Sequence, residues 1–136
     1  MAEKELQSPV NLNNKILTIV RDSFIREILE FNLQREGHVL EIIEDGRQAS
    51  KLFRDHGRPR LVIMGLNIAY KNGHELLREM KKQEGWLGVP VLVLSRQGSE
   101  QEIEQTFKEG ASDYVRVPFS LRELMARINR LLRPRA

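Results

Sequence analysis

A chain of 136 residues has room for one ordinary domain and too little for two, and it reads as a polar tail, residues 1–14, ahead of a single domain, residues 15–134. A composition 40% hydrophobic and 30% charged is that of a globular protein, and apolar runs this short exclude a span of the bilayer. The lack of cysteine excludes disulfides and thiolate metal sites, and a net charge of +3, dispersed along the chain, makes nucleic acid the minority partner.

His38, His56 and His74 show no ligand spacing, so neither a metal nor a cofactor is expected. Met1 to Asn14 carries Glu3, Lys4 and Glu5 without an apolar core region, which is no secretory signal, and a cytoplasmic location is the expectation.

Short apolar runs alternate with amphipathic segments. Lys15 to Val20 reads as the first strand. A helix follows from about Ser23 to Glu36, capped by Asp22 or Ser23, with Ile25, Ile28, Leu29 and Leu33 on one side and Gly37 as its left-handed stop. Val39 to Ile43 is the second strand, and Ala49, Leu52 and Phe53 signal the second helix. Leu61 to Leu66 is the third strand, followed by a helix marked by Leu76, Leu77 and Met80. Val89 to Leu94 is the fourth strand; Ile103, Phe107 and the stop glycine Gly110 mark the helix after it, opened by a Ser99–Glu102 capping box. Tyr114 to Val117 is the fifth strand. A Ser120–Glu123 capping box opens the last helix, whose stripe is Leu121, Leu124, Ile128 and Leu131, and Pro134 marks its end. Strands as continuously apolar as Leu61-Val62-Ile63-Met64 need cover on both faces, and strict alternation makes the sheet parallel. The fold class is therefore a doubly wound α/β domain with a five-stranded parallel sheet and five helices. Chemistry in such a fold gathers outside the carboxyl ends of the strands, here around Arg21 to Ser23, Gly65 to Asn67, Ser95 to Arg96 and Val117 to Pro118.

From Lys15 through Arg133 the spaced motifs resemble the receiver domain of bacterial response regulators. Lys15-Ile16-Leu17-Thr18-Ile19-Val20 resembles its first strand, Pro59 precedes the third, and Asn72-Gly73-His74-Glu75-Leu76-Leu77 resembles the start of the third helix. Val89-Pro90-Val91-Leu92-Val93-Leu94-Ser95 and the block Gly110 to Ser120 complete the match. The resemblance implies a flavodoxin-like strand order, 2-1-3-4-5, and transfer of a phosphoryl group from a histidine kinase to an aspartate ending the third strand. Such transfer works by positioning and by neutralising charge on the transferred oxygens, through a magnesium ion, a lysine and a hydroxyl. Residue by residue, the pocket departs from that pattern. The acidic pair falls on Arg21 and Asp22, the acceptor aspartate on Gly65 and the lysine on Val117, while the hydroxyl is kept as Ser95. The resemblance thus implies a pseudo-receiver: no enzyme, no metal site, acting through protein contacts or dimerisation. The alternatives are a receiver phosphorylated at a non-standard residue such as Asp22, or a regulator that touches nucleic acid.

Two readings of Arg21 stand side by side: it folds into the space at Gly65 and pairs with Asp22, or it is a solvated arginine beside an Asp22 that merely caps a helix. Ser95 and Tyr114 correspond to the family's switch pair; the plainer reading of Tyr114 is strand packing. The last helix is similar to the winged-helix transcription-factor subfamily, whose receivers dimerise through the fourth helix, fifth strand and fifth helix. On that face Glu123, Arg127 and Arg130 share helical spacing, Asp113 is placed to bridge to Arg127 of a second subunit, and Ile103 replaces a usually basic residue. A merely solvated charged face is the plainer alternative. The row Arg127, Arg130, Arg133 and Arg135 is the feature that would touch phosphates in the nucleic-acid reading.

Overall fold

A computed structural model describes residues 10–54 and 56–133 of the chain. Five parallel strands form one sheet: β1 (Lys15–Ile19), β2 (Val39–Ile43), β3 (Leu61–Gly65), β6 (Val91–Ser95) and β7 (Asp113–Arg116), in the spatial order β2-β1-β3-β6-β7. This is the expected 2-1-3-4-5 arrangement. Between β3 and the next helix lies a small antiparallel hairpin absent from the sequence reading, β4 (Asn67–Ile68) and β5 (Lys71–Asn72), which turns through Tyr70 at φ +68°. The helices are α1 (Ser23–Arg35), α2 (Gly46–Lys51), α3 (Gly73–Lys82), α4 (Glu100–Lys108) and α5 (Leu121–Leu132). Among the described residues no helix is long and apolar enough to cross a membrane.

Alternate residues of each strand feed two cores. Leu17, Ile19, Val62, Met64, Val91 and Val93 meet α2 and α3, together with Phe53 and Trp86, whose rings cross edge to face at 5.0 Å. Ile16, Leu61, Ile63 and Leu92 meet Leu29 and Leu33 of α1 and Leu124 and Ile128 of α5. Each fully buried aliphatic side chain contributes roughly 1.5–3 kcal/mol, so the two layers carry the fold.

Several boundaries differ from the sequence reading. Val10 and Leu12 pack on the first core, and the Leu12 N–H donates to the His56 carbonyl at 2.7 Å, so the described end of the predicted polar tail belongs to the domain. Residues 1–9 of that tail, Pro134 and Arg135 lie outside the described residues. Asp22, and not Ser23, caps α1, its Oδ1 accepting from the Ile25 N–H at 3.1 Å. Leu121 is 41% exposed and so leaves the predicted inward stripe of α5, which begins at Leu124. On α4 the fully buried side chain is Thr106, whereas Phe107 is 43% exposed and Ile103 half-buried. This helix packs against β7, the edge strand of the sheet.

Candidate functional site

The carboxyl ends of β1, β3, β6 and β7 open on a cleft of about 990 Å³, and all five pocket residues, Arg21, Asp22, Gly65, Ser95 and Val117, line it. Their positions follow from the fold. Arg21 and Asp22 leave β1, Gly65 ends β3, Ser95 ends β6 and Val117 follows β7. The hairpin and Gly73 close one side: a Cβ on Gly73 would come within 2.5 Å of the Leu66 Cα, so only glycine lets α3 start against the strand end. Gly65 is different. A Cβ there would find its nearest neighbour, the Leu94 carbonyl oxygen, at 3.9 Å, and the backbone would accept a side chain.

Arg21 is exposed and makes no ion pair among the described residues, so it does not fold into the space at Gly65, and the pairing with Asp22 is corrected. The partner of Asp22 is Arg96, whose guanidinium lies 3.5 Å from Oδ2. Asp22 already accepts from two donors, the Ile25 N–H and Arg96. Val117 is buried and apolar where a cation would have to meet a phosphate.

Magnesium, which the family pattern implies, does not fit these residues. It wants near-octahedral oxygen ligands including one or two free carboxylates. Of the two carboxylates lining the cleft, Asp22 is engaged by the helix N-terminus and Arg96, and Glu102 by two hydroxyls.

Glu102 is the residue that sequence reasoning misplaced. Its N–H donates to Ser99 Oγ at 3.1 Å as a capping box requires, but its carboxylate does not return to Ser99. Oε2 accepts instead from Ser95 Oγ at 2.6 Å and from the Tyr114 hydroxyl, which in turn accepts from the Gly98 N–H at 3.0 Å. Burial raises the Tyr114 pKa, and the hydrogen bond to Glu102 raises it further. The network continues into α3: His74 Nε2 lies 3.9 Å from Glu102 Oε1, and His74 Nδ1 is 2.6 Å from Glu109 Oε1. Arg78 and Gln105 donate to the other oxygen of Glu109 at 2.6 and 2.9 Å. Only the distance in space, which no local spacing encodes, joins these residues.

The second group of predicted residues meets on the far side of β7. Asp113, its side chain 8% exposed, accepts from Arg127 Nη1 at 3.1 and 3.0 Å and from Arg130 Nη2 at 3.2 Å, all within one chain. Glu123 adds a bond to Arg127 at 3.0 Å. Asp113 and then Glu123 push the Arg127 pKa up. Within the single chain, Asp113 of β7 is thus bonded to Arg127 and Arg130 of α5. Ile103 belongs to neither group of contacts.

A five-stranded sheet in this order, with four strand ends around one cleft, narrows the family, and comparison with known proteins decides it. The profile of the response regulator receiver domain matches residues 16–129. The chain belongs to this family. The receiver is 31% identical over 119 residues to the virulence transcriptional regulatory protein PhoP of Salmonella typhimurium, covering 88% of this chain and 52% of that protein. To the alkaline phosphatase synthesis transcriptional regulatory protein SphR of Synechococcus elongatus it is 33% identical over 128 residues, covering 88% and 49%. The chain thus spans about half the length of the curated relatives it matches. Among solved structures, the non-phosphorylated HemR receiver domain of Leptospira biflexa is similar at TM-score 0.80 and 28% identity, covering 91% of this chain and 100% of that one. The receiver domain of Francisella response regulator 1452 is similar at TM-score 0.78 and 28% identity, covering 88% and 97%. The chain is a receiver domain of two-component signalling, a family of signalling modules that act through partner proteins or by dimerising.

Proposed function

We propose that this receiver signals without accepting a phosphoryl group at the end of β3 and works through protein contacts made by α4, β7 and α5. One observation carries the reading: Gly65 ends β3 with no side chain, although the surrounding atoms leave room for one. In-line transfer needs an acceptor oxygen, a metal and a counter-charge held in place together. Here the acceptor is absent, Arg21 and the engaged Asp22 replace the acidic pair, and Val117 replaces the cation. Each loss removes a different part of the mechanism, so no single remaining group compensates. The PhoP and SphR relatives are named transcriptional regulatory proteins, and a role in gene control is part of the proposal.

The test is intact-mass spectrometry after incubation with acetyl phosphate and magnesium, beside a receiver that has its acceptor aspartate. The expected result is a phosphoryl gain in the control and none in this chain. A gain here, on Asp22 or any other side chain, would overturn the reading.

A further inference from the structure

Helix α4 is held to the domain in an unusual way for an amphipathic helix. Its one fully buried side chain, Thr106, returns its hydroxyl to the Glu102 carbonyl at 2.7 Å, and its large apolar side chains Ile103 and Phe107 are partly or substantially exposed. Packing supplies little of its attachment. The polar contacts supply the rest: Glu109 near its end is tied to His74 and Arg78 of α3, and Glu102 in its first turn is tied to Ser95 of β6 and Tyr114 of β7.

The Glu102 contact has the stronger consequence. Its side chain is 11% exposed, and a buried carboxylate is tolerated only when donors surround it. Two hydroxyls converge on one oxygen, and such O–H to carboxylate bonds are roughly twice as strong as neutral ones. The same contact decides where the Tyr114 ring lies, because the phenol is bonded at once to Glu102 and to the Gly98 N–H in the loop that leads into α4.

We propose that Glu102 is a built-in ligand of the Ser95–Tyr114 pair: its carboxylate takes both hydroxyls, holds Tyr114 against the sheet, and fixes the first turn of α4 to β6 and β7 with no phosphoryl group. The proposal rests on the reading that the strand-end pocket is not phosphorylated, and it names what sets the state of the α4–β7 face instead. That face then has one resting arrangement, and a partner shifts it only by binding better to the arrangement in which Glu102 has let go.

The experiment uses the full chain with Tyr70→Phe, which replaces the exposed second tyrosine and leaves Tyr114 as the only phenol. Tyr114 ionisation is followed by ultraviolet absorbance, and α4 mobility by hydrogen exchange, in Glu102, Glu102→Gln and Glu102→Ala proteins. Glu102→Gln keeps the shape of the side chain, and far-ultraviolet circular dichroism with emission from the single Trp86 shows that each variant is folded. With Glu102 present, Tyr114 is expected to ionise above the usual value of about 10. Both substitutions are expected to lower it, burial alone then keeping it raised, and to speed amide exchange across residues 96–108, leaving α1 unchanged. A Tyr114 step unmoved by both substitutions, or exchange in α4 that does not change, would overturn the internal ligand. A phosphoryl gain in the acetyl phosphate experiment would instead overturn the pocket reading, so the two failures are distinguishable.

Discussion

Thr18 lies at the middle of the sheet, between Ile42 of β2 and Ile63 of β3, and its Oγ1 is buried without a hydrogen-bond partner among the described residues. A buried hydroxyl with no partner costs free energy, and a strand interior has no spare backbone acceptor to offer it. Thr18→Val keeps the branched shape and removes the polar atom. It is expected to stabilise the domain by about 1 kcal/mol, read as a higher urea midpoint with an unchanged slope. A lower midpoint would sink the argument by showing that the hydroxyl is bonded in solution. At this scale the sequence was partly legible. The strand-end residues Arg21, Asp22, Gly65, Ser95 and Val117 were found because motif spacing fixes which residue ends each strand. The contacts of Arg96 with Asp22 and of Glu102 with Tyr114 were not, because those partners lie 74 and 12 residues away in sequence.

Elements were legible wherever apolar periodicity was strong, as in α1, where Leu29 and Leu33 are fully buried and Gly37 stops the helix at φ +90°. The β4–β5 hairpin escaped because strands of two residues carry no period, and Ala69 at its turn forms an isolated bridge to Asp45. Helix α4 has the least apolar attachment, and its hold on α3 through Glu109 makes it sensitive to acid. Burial raises the Glu109 pKa, but bonds from His74, Gln105 and Arg78 outweigh it, and the carboxyl ends below its ordinary value. A carboxyl whose folded pKa is depressed contributes stability above the unfolded value, about 4.3, and loses it as pH falls through the folded value. Glu109→Gln is therefore expected to be less stable than the parent near neutrality, and the gap is expected to close as pH falls below about 4. Paired urea titrations at several pH values check this. A gap that stays constant down to pH 3, about one unit below the ordinary glutamate value, would mean that the charge on Glu109 does not hold α4.

For the whole molecule, the charge pattern limits how two copies of the receiver can meet. Asp113 is paired with Arg127 and Arg130 of its own chain, and Glu123 with Arg127. The apolar side chains exposed on α4 and α5 are Phe107 and Leu121, with Ile103 half-buried. Association through the α4–β7–α5 face is therefore expected to rest on burying these side chains and to resist salt, since screening weakens exposed charge pairs and leaves apolar burial intact. Light scattering over a concentration series checks the point. The expected result is a mass rising from 15.8 kDa toward twice that value, unchanged when salt is raised, and lost in Phe107→Glu. Phe107 is 43% exposed, and a urea midpoint measured for the same variant separates a broken interface from a broken fold. A dimer that salt dissociates would return the interface to Glu123 and Arg127. A monomer at every concentration would end the reading of self-association and leave the face to a different protein.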